Sequence, residues 1–185
     1  AAALGKYVLG LINPVTLAAA AVAALAYGYN QGATEVQRFN AALITSNNAA
    51  GTTSDKLADI AAGVANITNV TKGAAAEAVT AFAKSGAFNT DQIERFSTVA
   101  IRAQREVGTS VADTIAAFEK LGQKPLEASL KLNEGTNYLT RLLYEQIKAL
   151  EEQGRVTEAA ALAQSAYADA STSVADKLEK NLGTI

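Results

Sequence analysis

The stretch "GAFNTDQIERF", Gly86 to Phe96, decides how this chain folds. Asn89 is a residue type whose side chain accepts a hydrogen bond at a helix start, and Gln92, three positions on, can reach back to the Asn89 backbone. Phe88 and Ile93 stand at the two positions that close a hydrophobic staple around such a start. The spacing predicts a helix from Thr90 to about Val107, just before Gly108. On either side the apolar residues keep a helical period, and no run alternates apolar and polar residues in the way a half-buried strand requires. The class that follows is all-α: an array of about seven short to medium helices with a C-terminal antiparallel helical hairpin.

Upstream, "TTSDKLADIAAGVANIT" and "KGAAAEAVTAFAKSG" read as two shorter helices, the first capped by Thr52 or Thr53 and the second closed by Gly86. Downstream, "TSVADTIAAFEKLG" places Val111, Ile115, Phe118 and Leu121 along one face. Pro125 has the position of a first helical residue, as Pro14 has after Asn13. Gly51, Gly86, Gly108, Gly122, Gly135 and Gly154 sit between periodic stretches and read as helix ends. In "NYLTRLLYEQIKALEEQG" the residues Leu139, Leu142, Leu143, Ile147 and Leu150 recur at helical spacing. After Gly154, Ala160, Ala163, Tyr167, Ala170, Val174 and Leu178 form the expected buried seam of a second helix, paired with the first through a short turn. This pair resembles one tetratricopeptide-type hairpin, but no 34-residue recurrence runs along the chain. Residues 1–45 read as an apolar, alanine-rich helical segment and residues 46–185 as a helical domain, the two forming one continuous folded unit.

Composition supports the class and removes most chemistry. Alanine supplies 41 of 185 residues and aromatics only 6%. Alanine favours helices because it loses no side-chain entropy, and a core built on it requires closely approaching helices. Sixteen basic against 18 acidic side chains leave a net charge of -2, with no broad footprint for nucleic-acid phosphates, so no sequence-specific nucleic acid is expected as a partner. Cysteine and histidine are both absent, which removes thiol nucleophiles, cysteine-ligated zinc and the commonest neutral-pH base. The carboxylates that remain do not form a convincing acid/base pair. Glu151 and Glu152 are adjacent and diverge by about 100° on a helix, while Asp55 and Asp59 share a helix face beside Lys56 and read as a solvated surface. "GTTSDK" lacks the spacing of a phosphate-binding loop. No catalytic residue, cofactor-binding residue or metal ligand is assigned, and the chain reads as a non-enzyme. Methionine is absent even at position 1, which reads as an internal segment of a longer polypeptide.

The candidate functional segment is "NPVTLAAAAVAALAYGY", Asn13 to Tyr29. Val15 to Tyr29 is 15 residues long, short of the roughly 20 that a spanning helix needs. Extension back to Tyr7 gives 23 uncharged residues interrupted by Asn13 and Pro14. Two readings stand: a buried or self-associating helix, and a segment that inserts into a membrane on occasion. The residues that would carry either are Val15, Leu17, Val22, Leu25, Tyr27, Gly28, Tyr29 and Gly32, with Gly28 and Gly32 spaced so that small residues share one face. Two glycines that merely weaken a helix near a bend explain that pair equally well.

Several stretches, in this order, carry a resemblance to a known family: the apolar alanine-rich segment before "EVQRFNAAL", the "NNAAGTT" turn, the "KPLEASLKLNE" link and the "LYEQIKALEEQG" helix. Over roughly Ala3 to Ala170 the chain resembles the tail tape measure proteins of long-tailed bacteriophages and prophages of the lambda type. That resemblance implies a structural virion protein, assembled in the host cytoplasm and lying in the lumen of the tail, whose length sets tail length. It implies the tail tube protein, tail-assembly chaperones and tail-tip proteins as partners. It also implies a part in DNA ejection, with transient contact at the host inner membrane. A ruler should be long and monotonous, whereas this chain is punctuated into short helices, so the expectation is a compact domain within a tape measure protein. The competing readings are a protein-binding scaffold of helical hairpins and a membrane-inserting helical module.

Overall fold

In a computed structural model, which describes residues 32–182, most of the predicted punctuation marks among those residues fall at helix ends. The first helix, α1, is helical over residues 32–45. It is followed by α2 (Ser54–Thr68), α3 (Lys72–Ser85), α4 (Thr90–Glu106), α5 (Val111–Gln123), α6 (Pro125–Thr136), α7 (Arg141–Glu152) and α8 (Val156–Leu182). No strand occurs among the described residues. The all-α expectation holds, with eight helices among those residues and one of them, α8, reaching 27 residues.

The capping box at α4 forms in both directions. The Gln92 N–H donates to Asn89 Oδ1 at 2.9 Å and the Asn89 N–H donates to Gln92 Oε1 at 3.0 Å. Phe88 and Ile93 are both buried beside it. Thr53, Thr71, Ser110 and Thr140 cap α2, α3, α5 and α7 by the same chemistry, each accepting from a backbone N–H three residues on. Gly51, Gly86, Gly108 and Gly154 take the positive φ expected of them. Gly122 and Gly135 do not end helices; they lie inside α5 and α6. Asparagines share the remaining work, with Asn69 (φ 53) closing α2 and Asn137 (φ 51) closing α6 in the left-handed region. Asparagine tolerates that region because its short amide can bond locally.

Helices α2, α3 and α4 pack on one another at one side of the core, and α5 joins them through α3 and α4. Phe39 and Ala42 of α1 enter the same core. The turn after α1 is tied to the start of α4 by the Thr90 hydroxyl, which donates to the Ala50 carbonyl at 3.2 Å. Alanines make up about half of the buried apolar residues, as the composition implies. Running through them is a row of rings that the composition conceals. Phe82, Phe88, Phe96, Phe118, Tyr167 and Tyr138 follow one another at centroid separations of 3.8 to 5.6 Å, and Phe96 stacks on Phe118 at an interplanar angle of 6°. Aromatic pairs of this kind add about 0.5–1.5 kcal/mol each beyond their buried area.

Helix α8 is the element that unites the bundle. It is joined to α7 by residues 153–155 and touches it, but it also packs against α4, α5 and α6. The expected seam therefore shifts. Ala159, Ala160, Ala163, Gln164, Ala168 and Ala175 are buried, while Val174 is 39% exposed. Likewise Leu142 of α7 is 66% exposed and only Ile147 of that helix is fully buried. A helix with neighbours on several sides buries a wider arc than a two-helix pairing, and small residues are what fit between close backbones.

Candidate functional site

Of the residues singled out as a candidate membrane or helix-packing segment, Val15, Leu17, Val22, Leu25, Tyr27, Gly28 and Tyr29 lie outside the described residues. Gly32 is exposed at the start of the described part of α1, and a Cβ there would meet nothing within 4 Å. Among the described residues no helix is long and apolar enough to cross a membrane.

The carboxylates weighed for chemistry have structural partners or face solvent. Glu151 Oε1 accepts from the Leu126 N–H at 2.9 Å. Lys124, which precedes α6, offers no side-chain cap, so a carboxylate from α7 satisfies that helix start, 25 residues away in sequence. Glu152 pairs with Lys148 at 3.6 Å on the surface of α7. Asp55 and Asp59 are both exposed. Among the described residues no group of three acidic, cysteine or histidine side chains is placed to hold a metal ion.

The polar groups that the fold does concentrate lie along the seam between α4 and α8. At its deepest point Gln164, 5% exposed, donates from Nε2 to the Phe118 carbonyl at 2.9 Å and accepts at Oε1 from Gln92 Nε2 at 3.0 Å. Gln92 thus completes the capping box and anchors α8 at once. A Cβ on Gly122 would stand 3.1 Å from Gln164 Nε2, so the glycine clears room for this amide. Further along, Arg95 meets Asp169 at 2.8 Å, Arg102 meets Asp176 and, at 3.2 Å, Glu179, and Arg105 meets Glu179 at 3.4 Å. Because the numbers rise together on both helices, α4 and α8 run in the same direction. Arg95 to Arg102 and Asp169 to Asp176 are both steps of seven, two helical turns, which is why one face of each helix carries the whole ladder. Arg105 also donates to the Thr68 carbonyl at 2.5 Å and so ties the end of α2 to the same seam.

Beside the ladder is a small cavity of about 80 Å³ lined by Val99, Ala103, Thr114, Thr136, Tyr167 and Val174 among others. Burial raises the pKa of the Tyr167 phenol, partly opposed by the Ser171 hydroxyl. Burial likewise raises that of Tyr138, with Ser129 opposing and Tyr167 adding to the rise. Ser129 Oγ and Tyr138 OH nevertheless make no hydrogen bond of acceptable geometry, and neither does the buried Ser97 Oγ. The arrangement offers no nucleophile paired with a base. It is a framework of helix-to-helix ties. Sequence reading missed it because the side chains paired between α4 and α8 lie 70 or more positions apart, and each half alone looks like an ordinary solvated helix face.

The sequence profile of the prophage tail length tape measure protein matches residues 1–148. The chain is 32% identical over 154 residues, 83% of its length, to the tape measure protein of Pseudomonas phage PAJU2. It is 27% identical over 184 residues, 98% of its length, to the tape measure protein of Escherichia phage lambda. It spans 17% and 21% of the length of those two relatives. No solved structure matches it. With most of a helical bundle matched by the profile and nearly all of it aligned to a tape measure relative, the chain belongs to the prophage tail length tape measure protein family.

Proposed function

We propose that this chain is a structural phage tail protein segment: a folded domain of a tape measure protein that helps to set tail length during assembly and assists DNA passage across the host inner membrane at ejection. The observation that carries the reading is the family match over residues 1–148. The bundle adds to it, because its polar and aromatic contacts are mechanical: caps, ring stacking and interhelical ion pairs, with polar groups spent on holding helices together. The partners that accompany this role are the tail tube protein, the tail-assembly chaperones and the tail-tip proteins. Its location is the tail lumen of the virion after assembly in the host cytoplasm, with the host inner membrane as the later contact. The role is non-enzymatic.

The test is an in-frame deletion of these residues from the phage, followed by electron microscopy of tails and plaque assay. As one continuous helix, 185 residues would span about 280 Å. As a compact body they have a radius of gyration of about 16 Å. Tails shortened by about 280 Å assign the segment to the ruler in an extended state. Tails of unchanged length with lost infectivity assign it to delivery. Normal tails on fully infectious particles overturn the proposal.

A further inference from the structure

The two halves of α8 are held by different forces. Over residues 156–168, Ala159, Ala160, Ala163, Gln164 and Ala168 are buried, and Gln164 is bonded at both ends of its amide. Over residues 169–181 only Ala175 is buried. What ties this second half to α4 is the ladder of Arg95, Arg102 and Arg105 against Asp169, Asp176 and Glu179. The acidic partners are open to solvent, with side chains 73%, 47% and 55% exposed. The seam is also loosely filled there. The 80 Å³ cavity beside Val99, Ala170 and Val174 lies on this part of the seam, and a cleft lined by Thr98, Val99 and Thr172 opens from it as well. Voids leave their lining atoms without dispersion partners, so packing does little to replace an ion pair once it is weakened.

From this division we infer that residues 169–182 of α8 form an ionically latched arm, which swings away from α4 as ionic strength rises while residues 156–168 stay packed. The hinge falls after Ala168, where continuous burial stops. The remaining charged residues of the arm, Lys177 and Lys180, adjoin Asp176 and Glu179 in the sequence. Salt acts selectively because screening shortens from about 10 Å at 0.1 M to about 3 Å at 1 M and reaches exposed pairs first. The buried amide of Gln164 and the alanine contacts are not weakened by screening. Opening uncovers the strip of α4 that carries Val99 and Ala103.

Hydrogen exchange followed by mass spectrometry on the whole 185-residue chain tests the latch at about 20 mM and about 1 M sodium chloride. Backbone amides of residues 170–181 should exchange about tenfold faster in high salt, while those of 159–168 change by less than about twofold. Arg102→Glu should release the arm at low salt, and adding Asp176→Arg with Glu179→Lys should restore protection, which a packing role for Arg102 would not. If Arg102→Glu fails to fold, the salt comparison on the unaltered chain decides alone. Protection of 170–181 that is indifferent to salt, or that is lost only together with 159–168, overturns the latch.

Discussion

Gly122 shows how a residue can be noticed for the wrong reason. In sequence it reads as a helix terminator, because glycine weakens helix interiors by about 1 kcal/mol relative to alanine. In the fold it stands inside α5, one van der Waals step from the Gln164 amide, and that amide bridges Gln92 and the Phe118 carbonyl. Gly122→Ala gains helix propensity but pushes Gln164 off two hydrogen bonds, one buried and one part-buried, each contributing about 0.5–1.5 kcal/mol. The expected result in urea denaturation is a loss of about 1 kcal/mol in the natural background. In a Gln164→Ala background the sign should reverse, to a gain of up to about 1 kcal/mol, because only the propensity term remains. A substitution that is equally harmful in both backgrounds would show that the glycine is not there for the glutamine. No local signal marks the pair, since residues 122 and 164 meet only after α8 has docked.

At the scale of the element, the starts of helices were legible and some of their causes were not. Asn89 and Gln92 meet within one turn, so their capping box could be read from four consecutive letters. Asn89→Ala should lower stability by about 1 kcal/mol, read as a shifted denaturation midpoint with an unchanged slope. Pro125 likewise marked the start of α6, but the group that satisfies its backbone is Glu151 from α7. Glu151→Gln should retain a partner for the Leu126 N–H, whereas Glu151→Ala should cost about 1 kcal/mol and raise amide exchange in the first turn of α6. Glu151 and Glu152, set aside in the sequence as a diverging pair, respectively cap one helix and pair with Lys148 on the surface of another. Leu142 and Val174 were misplaced for a related reason. A periodic stripe shows that a helix has an apolar side, but which edge of that stripe is buried depends on how many neighbours the helix meets.

At the scale of the whole molecule, α8 closes the core that α4, α5, α6 and α7 begin. The family profile ends at residue 148, within α7, yet Phe118 and Ile147 are fully buried in a core that also takes in Ala159 and Ala163 of α8. A chain stopped after Lys148 should therefore unfold without a cooperative calorimetric transition, while the chain through α8 gives one. The ring row crosses the same interface and supplies a pH signature. The phenol pKa values of Tyr138 and Tyr167 are raised above the ordinary 10.0 by burial, so the folded state prefers both phenols protonated. Their contribution is complete below pH 10 and is lost as pH rises through the raised values. Thermal stability should fall above about pH 10, and Tyr167→Phe should flatten that fall.

The chain's own letters determined the helical class, the helix starts at Asn89 and Pro125, and the absence of histidine and cysteine chemistry. All of these depend on groups within a few residues of one another or on composition alone. Only the tertiary structure decided that α8 spans four helices, that six rings join into one row, and that three arginines on α4 meet three carboxylates on α8. Each of those contacts links residues far apart in the chain and exists only once close packing brings two helix faces together. No periodicity within one helix specifies which face of another will meet it.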